Sequence, residues 1–201
     1  PLLRTMAKSG MTVVVSTGMA EASDIDAAME ALAPALPDNV ILLHCTSNYP
    51  TRDGDVNLLR MLTLQRRYDV PVGFSDHSEG CQAAVQAVSL GAVMIEKHFT
   101  LSRDLPGPDH WFSATPEEMA ELVRQVRAAE TRMGRAELCP ADGEMACREE
   151  YRISVIADRD LAAGHELARR DVAFRKPGTG ILPRELDAYL GRRLARPLRH
   201  D

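Results

Sequence analysis

Four short runs of apolar, largely β-branched residues punctuate the first hundred positions: Thr12 to Val15, Val40 to Leu43, Val70 to Phe74 and Ala92 to Ile95. Each run ends abruptly in polar residues. Between them, apolar residues recur at helical spacing over Ala22 to Ala33, Val56 to Tyr68 and Cys81 to Leu90, so that strand starts follow one another at intervals of 28, 30 and 22 residues. Short apolar runs alternating with longer amphipathic stretches predict repeated β/α units around a parallel sheet. Pro1 to Ser9, closed by Gly10, reads as a helix that would follow a strand. The best-marked helix comes after the fourth run. There Thr115 is placed to cap, Pro116 occupies the first helical position, and Glu118 completes a capping box. Met119, Leu122, Val123 and Val126 then line one face.

From 135 to 150 the pattern lapses into small and polar residues with Pro140 and Gly143, the composition of a linker. It separates a larger domain, 1–134, from a small one, 151–201. In the small domain Ile153 to Ile156 predicts a strand, Ala162-Ala163-Gly164 a turn, and Pro183 to Leu190 a helix stopped by Gly191.

With 201 residues, 45% of them hydrophobic and 26% charged, the chain has a globular composition, which excludes disorder, collagen and a disulfide-packed miniprotein. It contains no apolar run long enough to span a membrane, and Pro1-Leu2-Leu3-Arg4 lacks the layout of a signal peptide. A cytoplasmic protein with no membrane partner is expected. Cys45, Cys81, Cys139 and Cys147 form no CxxC pair and read as free thiols, Cys45 and Cys81 in core-like neighbourhoods. Charge is distributed unevenly: residues 1–150 carry 13 basic and 22 acidic side chains, residues 151–201 carry 11 and 7. The basic residues are not interleaved with stacking aromatics and the larger part would repel phosphates, so no nucleic-acid partner is expected.

In a parallel β/α fold, reactive groups collect at the carboxyl ends of the strands. Those ends are Ser16-Thr17-Gly18-Met19, then His44 to Pro50, then Ser75 to Gly80, then Glu96 to Thr100. Hydroxyls and close-approaching glycine backbones suit phosphate oxygens, although the same residue types also serve as helix caps. His77 and His98 end neighbouring strands, where they either share a divalent cation or form a hydrogen-bonded pair of core histidines. Asp76 and Glu96 could orient these rings unless strand alternation turns them away; His44 reads as structural. Leu105 to His110 is a stiff turn ending in Asp109 and His110, groups able to hydrogen-bond a polyol. Arg175-Lys176-Pro177-Gly178-Thr179-Gly180 combines two cations with a stiff loop, on its own a surface turn.

Taken together, "STGM", "LLHCTSNYPT", "GFSDHSEG", "GAVMIEKHFTLSRDLPGPDH" and "FRKPGTGI", in this order and spacing, resemble the bacterial N-acetylneuraminate (sialic acid) synthases over essentially the whole chain. The resemblance implies an α/β fold: the C-terminal half of a (β/α)8 TIM barrel followed by a small antifreeze-protein-like (SAF) domain, with two chains exchanging these domains in a homodimer. It implies condensation of phosphoenolpyruvate with N-acetylmannosamine, an N-acetylated hexosamine, to give N-acetylneuraminate and phosphate. His77 and His98 match the family's two histidine ligands of a catalytic divalent metal, usually Mn2+, with Mg2+ or Co2+ as alternatives. Ser16, Ser47 and Ser75 fall where the family contacts phosphoenolpyruvate, Ser47 at a position that is often asparagine. Tyr49 and Asp109 match residues that hold the amino sugar. Lys176 stands where an arginine usually reaches the N-acetyl group from the partner chain, with Arg175 as the alternative donor.

Nothing in the sequence matches the lysine-bearing early strands of that family. The chain is therefore expected to be the carboxyl-terminal part of a synthase, ending short of the small domain's usual final strand, and inactive by itself. Relatives making legionaminic or pseudaminic acid, or acting in spore-coat polysaccharide synthesis, share these motifs. A non-catalytic carbohydrate-binding or assembly protein on the same fold is the competing class.

Overall fold

A computed structural model describes residues 1–177 and 180–200. The chain divides into two compact units, Pro1–Arg135 and Ala136–Asp201. In the first, a short helix α1 (Leu2–Ala7) precedes β1 (Val13–Ser16), α2 (Ala22–Leu32), β2 (Val40–Cys45), α3 (Asp53–Val56), α4 (Leu59–Tyr68), β3 (Val72–Asp76), α5 (Gln82–Ser89), β4 (Ile95–Lys97) and α6 (Pro116–Met133). The four strands form one parallel sheet in the order β1-β2-β3-β4. Sequence-ordered parallel strands with helical crossovers are the arrangement of half a β/α barrel.

Each strand is as apolar as its position demands. β2 and β3, the two central strands, are buried almost throughout and on both faces. Leu32, Val40, Leu42, Met61, Val72, Phe74 and Ala87 form the core between the helices and the sheet, and each of the larger side chains contributes about 1.5–3 kcal/mol on burial. β4 is short and only partly buried.

The predicted helices form with small differences that have local causes. The stretch expected as one helix from Val56 is broken at Asn57, whose left-handed backbone (φ 49°) closes α3 before α4 begins; asparagine tolerates that conformation better than most residues. On α6, Thr115 Oγ1 accepts from the Glu118 amide at 3.4 Å while the Glu118 carboxylate accepts from the Thr115 amide at 2.9 Å, the capping box anticipated from the sequence. Of its apolar face Leu122 is buried, but Val123 is half exposed.

In the second unit, α7 (Met145–Tyr151) follows a 3-10 turn at Asp142–Glu144. Much of the stretch with linker composition is thus helical, its small and charged residues leaving the helix exposed. β5 (Ser154–Ala157) and β6 (Val172–Arg175) pair antiparallel. Leu186 anchors a small core with Ala157, Leu161 and Leu167. The helix expected over Pro183 to Leu190 forms as a 3-10 helix, Pro183–Ala188. Asp171 is fully buried and organises the unit: its carboxylate accepts from Arg159, from His165 Nε2 at 2.8 Å and from the Ala168 amide at 2.9 Å. Those contacts, Arg159 first, hold it well below the usual carboxylate range. No helix among the described residues is long and apolar enough to cross a membrane.

Candidate active site

Register decides which strand-end residues meet. Cys45 pairs across to Ser75, and Asp76 to Lys97, so the ends of β2, β3 and β4 lie side by side. Side chains alternate along a strand. Ser75 and His77 therefore share one face, Asp76 the other.

His77 is buried, and its Nδ1–H donates to the Thr46 carbonyl at 2.9 Å. A carbonyl can only accept, so the neutral ring carries its lone pair on Nε2. The Tyr49 ring lies 4.3 Å from the His77 ring, and the His98 ring 5.1 Å from it. His98 in turn sits 5.0 Å from the ring of Phe112 and places Nδ1 3.9 Å from the Asp109 carboxylate. Ser75 Oγ donates to Glu96 at 2.6 Å and lies 3.5 Å from His77 Nε2.

The Cys45 thiol is the unexpected member of the cluster. It is buried, 3.8 Å from His77 Nδ1, with the Ser75 and Ser16 hydroxyls also beside it. Burial pushes the thiol up, but His77 and the two hydroxyls outweigh it and leave Cys45 below its ordinary value. The same Cys45 contact is the largest influence raising His77, against the opposing effect of burial. On the neighbouring turn, a Cβ placed on Gly18 would stand 2.3 Å from Ser47 Oγ and 3.1 Å from Cys45 Sγ. Only glycine lets this backbone approach the Ser47 hydroxyl so closely.

Ser16, Ser47, Tyr49, Ser75, His77, His98 and Asp109 thus surround one region at the strand ends. Lys176 belongs to the second unit, where its ammonium lies 4.7 Å from the Tyr151 ring. Gly178 and Thr179 of its loop fall outside the described residues. Asp76 does not orient the imidazoles. Strand alternation turns it into a buried ion pair with Lys97 at 2.9 Å, side chains 0% and 7% exposed. Glu96 acts on Ser75 rather than on a histidine. His44 is structural, its Nε2 bonded to the Val56 carbonyl at 2.7 Å and burial lowering its basicity. Sequence reasoning missed Cys45 and Phe112 as neighbours of the site. Cys45 ends a hydrophobic strand and so reads as core; Phe112 is signalled only by its closeness to Asp109.

A half-barrel sheet with hydroxyls, two imidazoles, an aromatic and a carboxylate at its carboxyl edge defines a β/α protein of the barrel type, with its polar groups gathered where such folds place their sites. The comparisons make this specific: the NeuB family profile matches residues 1–138 and the SAF domain profile residues 152–201. The chain belongs to the NeuB family and carries the C-terminal half of its (β/α)8 barrel with a SAF domain. It is 42% identical over 199 residues to the N,N'-diacetyllegionaminic acid synthase of Legionella pneumophila, covering 97% of this chain and 56% of that protein. It is 35% identical over 206 residues to the human N-acetylneuraminate-9-phosphate synthase, covering 100% and 56%. The crystal structure of N-acetylneuraminic acid (sialic acid) synthetase from Leptospira borgpetersenii, in complex with citrate, matches with 40% identity and a TM-score of 0.67, over 72% of this chain and 50% of that one. A putative spore coat polysaccharide biosynthesis protein E from Chromobacterium violaceum gives 30% identity and a TM-score of 0.81, over 100% and 61%. The chain therefore spans little more than half the length of these relatives.

Proposed function

We propose that the chain supplies the metal-and-acceptor part of a synthase that condenses phosphoenolpyruvate with N-acetylmannosamine, forming N-acetylneuraminate and phosphate. The observation that carries this reading is the convergence of His77 and His98, rings 5.1 Å apart, with Tyr49 and Asp109 against them. Two imidazoles at this separation suit a single divalent ion, since metal–nitrogen bonds are about 2.1 Å long. Among the described residues no group of three or more His, Cys, Asp or Glu could hold a metal ion; an ion held by the two histidines alone would leave its remaining positions to substrate and water. Mn2+ is the metal proposed; when bound, it would polarise the aldehyde oxygen of the open-chain sugar.

The remaining work belongs to the chain's own groups. The Thr46 carbonyl fixes the tautomer of His77 and keeps its Nε2 available as a donor of electrons. Ser16 and Ser47 offer hydroxyls to phosphoenolpyruvate, whereas the Ser75 hydroxyl donates to Glu96 at 2.6 Å and must turn from that carboxylate before it can donate to the substrate. Tyr49 and Asp109 hold the sugar beside them. In the whole protein we assign Lys176 to the acyl group of the sugar bound by a partner chain, in a homodimer that exchanges SAF domains; as a lysine it offers a less directional contact than a guanidinium. The 42% identity to the Legionella enzyme favours a second acceptor as well, a diacetylated hexose leading to a legionaminic acid.

The test is phosphate release from phosphoenolpyruvate with each sugar and Mn2+, using the protein expressed from its complete reading frame. Turnover that disappears in His77→Ala and His98→Ala, together with loss of bound manganese, is expected. Wild-type manganese content in both variants would overturn the metal assignment, and absence of turnover with any acylated hexose would favour a carbohydrate-binding or assembly role.

A further inference from the structure

The aromatic cluster does not stop at the two histidines. Phe112 lies 5.7 Å from the Tyr49 ring and 5.0 Å from the His98 ring, and Trp111 meets Phe112 edge-on at 5.3 Å. Phe112 is buried, whereas Trp111, the only tryptophan in the sequence, is 55% exposed. Its segment is well secured. His110 Nδ1 is 2.7 Å from the Thr100 hydroxyl, Ser113 Oγ donates to the Asp109 carbonyl, and Arg103 binds both the Ser113 carbonyl and the Glu118 carboxylate. A 3-10 turn at His110–Phe112, secured by these bonds, thus presents a large, half-exposed indole two residues from Asp109, backed by the Phe112 ring.

We propose that Trp111 is a specificity-determining residue that stacks on the apolar C–H face, or the acyl methyl, of the N-acylated hexose. Asp109 binds that sugar's hydroxyls from the same turn. The proposal rests on the reading of Asp109 and the histidines given above. A pyranose or open-chain hexose has one polar and one apolar aspect, and an indole beside a carboxylate matches both. Phosphoenolpyruvate, small and highly anionic, has no such face. Trp111 should therefore act on the sugar alone.

In the complete protein, Trp111→Ala is expected to raise the KM for the acylated hexose about tenfold while leaving the KM for phosphoenolpyruvate within about twofold, and Trp111→Tyr to recover most of the loss. Tryptophan fluorescence supplies a readout independent of turnover. The difference spectrum between wild type and Trp111→Phe should change on titration with N-acetylmannosamine and not with phosphoenolpyruvate. If turnover occurs but Trp111→Ala leaves both KM values unchanged, the inference is wrong, and Trp111 is then an ordinary surface residue or is covered by another chain. If no turnover occurs yet the difference spectrum responds to the sugar, the stacking role stands and the proposed reaction falls. If neither turnover nor a response is found, both fall.

Discussion

Removing the ammonium of Lys97 is the sharpest test of how the site is built. Lys97 Nζ donates to Asp76 at 2.9 Å and to the Ser78 carbonyl at 2.7 Å, while Asp76 also accepts from the Ser78 amide and hydroxyl at 2.9 and 2.6 Å. Both charged side chains are buried, and they are register partners across β3 and β4 immediately before His77 and His98. Lys97→Met keeps the apolar stem and strands the carboxylate with two hydrogen bonds and no countercharge. Breaking a buried pair on one side costs about 3–5 kcal/mol, a large part of the roughly 5–15 kcal/mol that holds a typical domain together. With a urea dependence of about 2 kcal/mol per molar, the unfolding midpoint should fall by about 2 M. The double variant Asp76→Asn/Lys97→Met removes both charges and should recover most of that loss. If Lys97→Met stays within about 1 kcal/mol of wild type, or the double variant is no more stable than the single, the pair is not the clamp described.

Two further outcomes follow from other parts of the chain. Asp171 has its folded-state pKa depressed by Arg159 and His165, so its contribution to the stability of the second unit is complete above its unfolded value, about 3.9, and is lost as pH falls below it; melting curves from pH 6 down to pH 2 should show a decline that is blunted in Asp171→Asn. Gly18→Ala should destabilise the first unit by about 1–3 kcal/mol, mainly through the collision with Ser47 Oγ, and Ser47→Ala in the same chain should relieve part of that loss, since the Ser47 Cβ lies at an ordinary 3.5 Å while the tight 3.1 Å approach to Cys45 Sγ remains. Equal melting temperatures for Gly18→Ala with and without Ser47→Ala would show that the hydroxyl is not the obstacle.

The repeat of strand and helix was legible because burial on both faces of a parallel sheet forces continuous apolar runs, and because the Thr115–Glu118 capping box writes its geometry into four residues. What could not be read were features that depend on the opposite strand. Asp76 and Glu96 are both acids preceding or near a histidine. Only the register shows that Asp76 faces Lys97 behind the sheet and that Glu96 faces Ser75 in front of it. Likewise the left-handed backbone at Asn57 is invisible to hydrophobic period, since the apolar positions on either side remain in step.

The same register argument explains why the two histidines form one site. A parallel pair holds residues opposite each other in evenly spaced, slanted hydrogen bonds, so adjacent strand ends advance together. With Asp76 opposite Lys97, their successors His77 and His98 emerge on the same face with rings 5.1 Å apart. A one-residue slip would turn one imidazole toward the helices and bring its neighbour forward. The buried ion pair opposes that slip, because shifting either strand would separate two charges that are almost wholly removed from solvent. The pair sits on the face of the sheet opposite the imidazoles, and its charge–charge attraction fixes the alignment that brings His77 and His98 together.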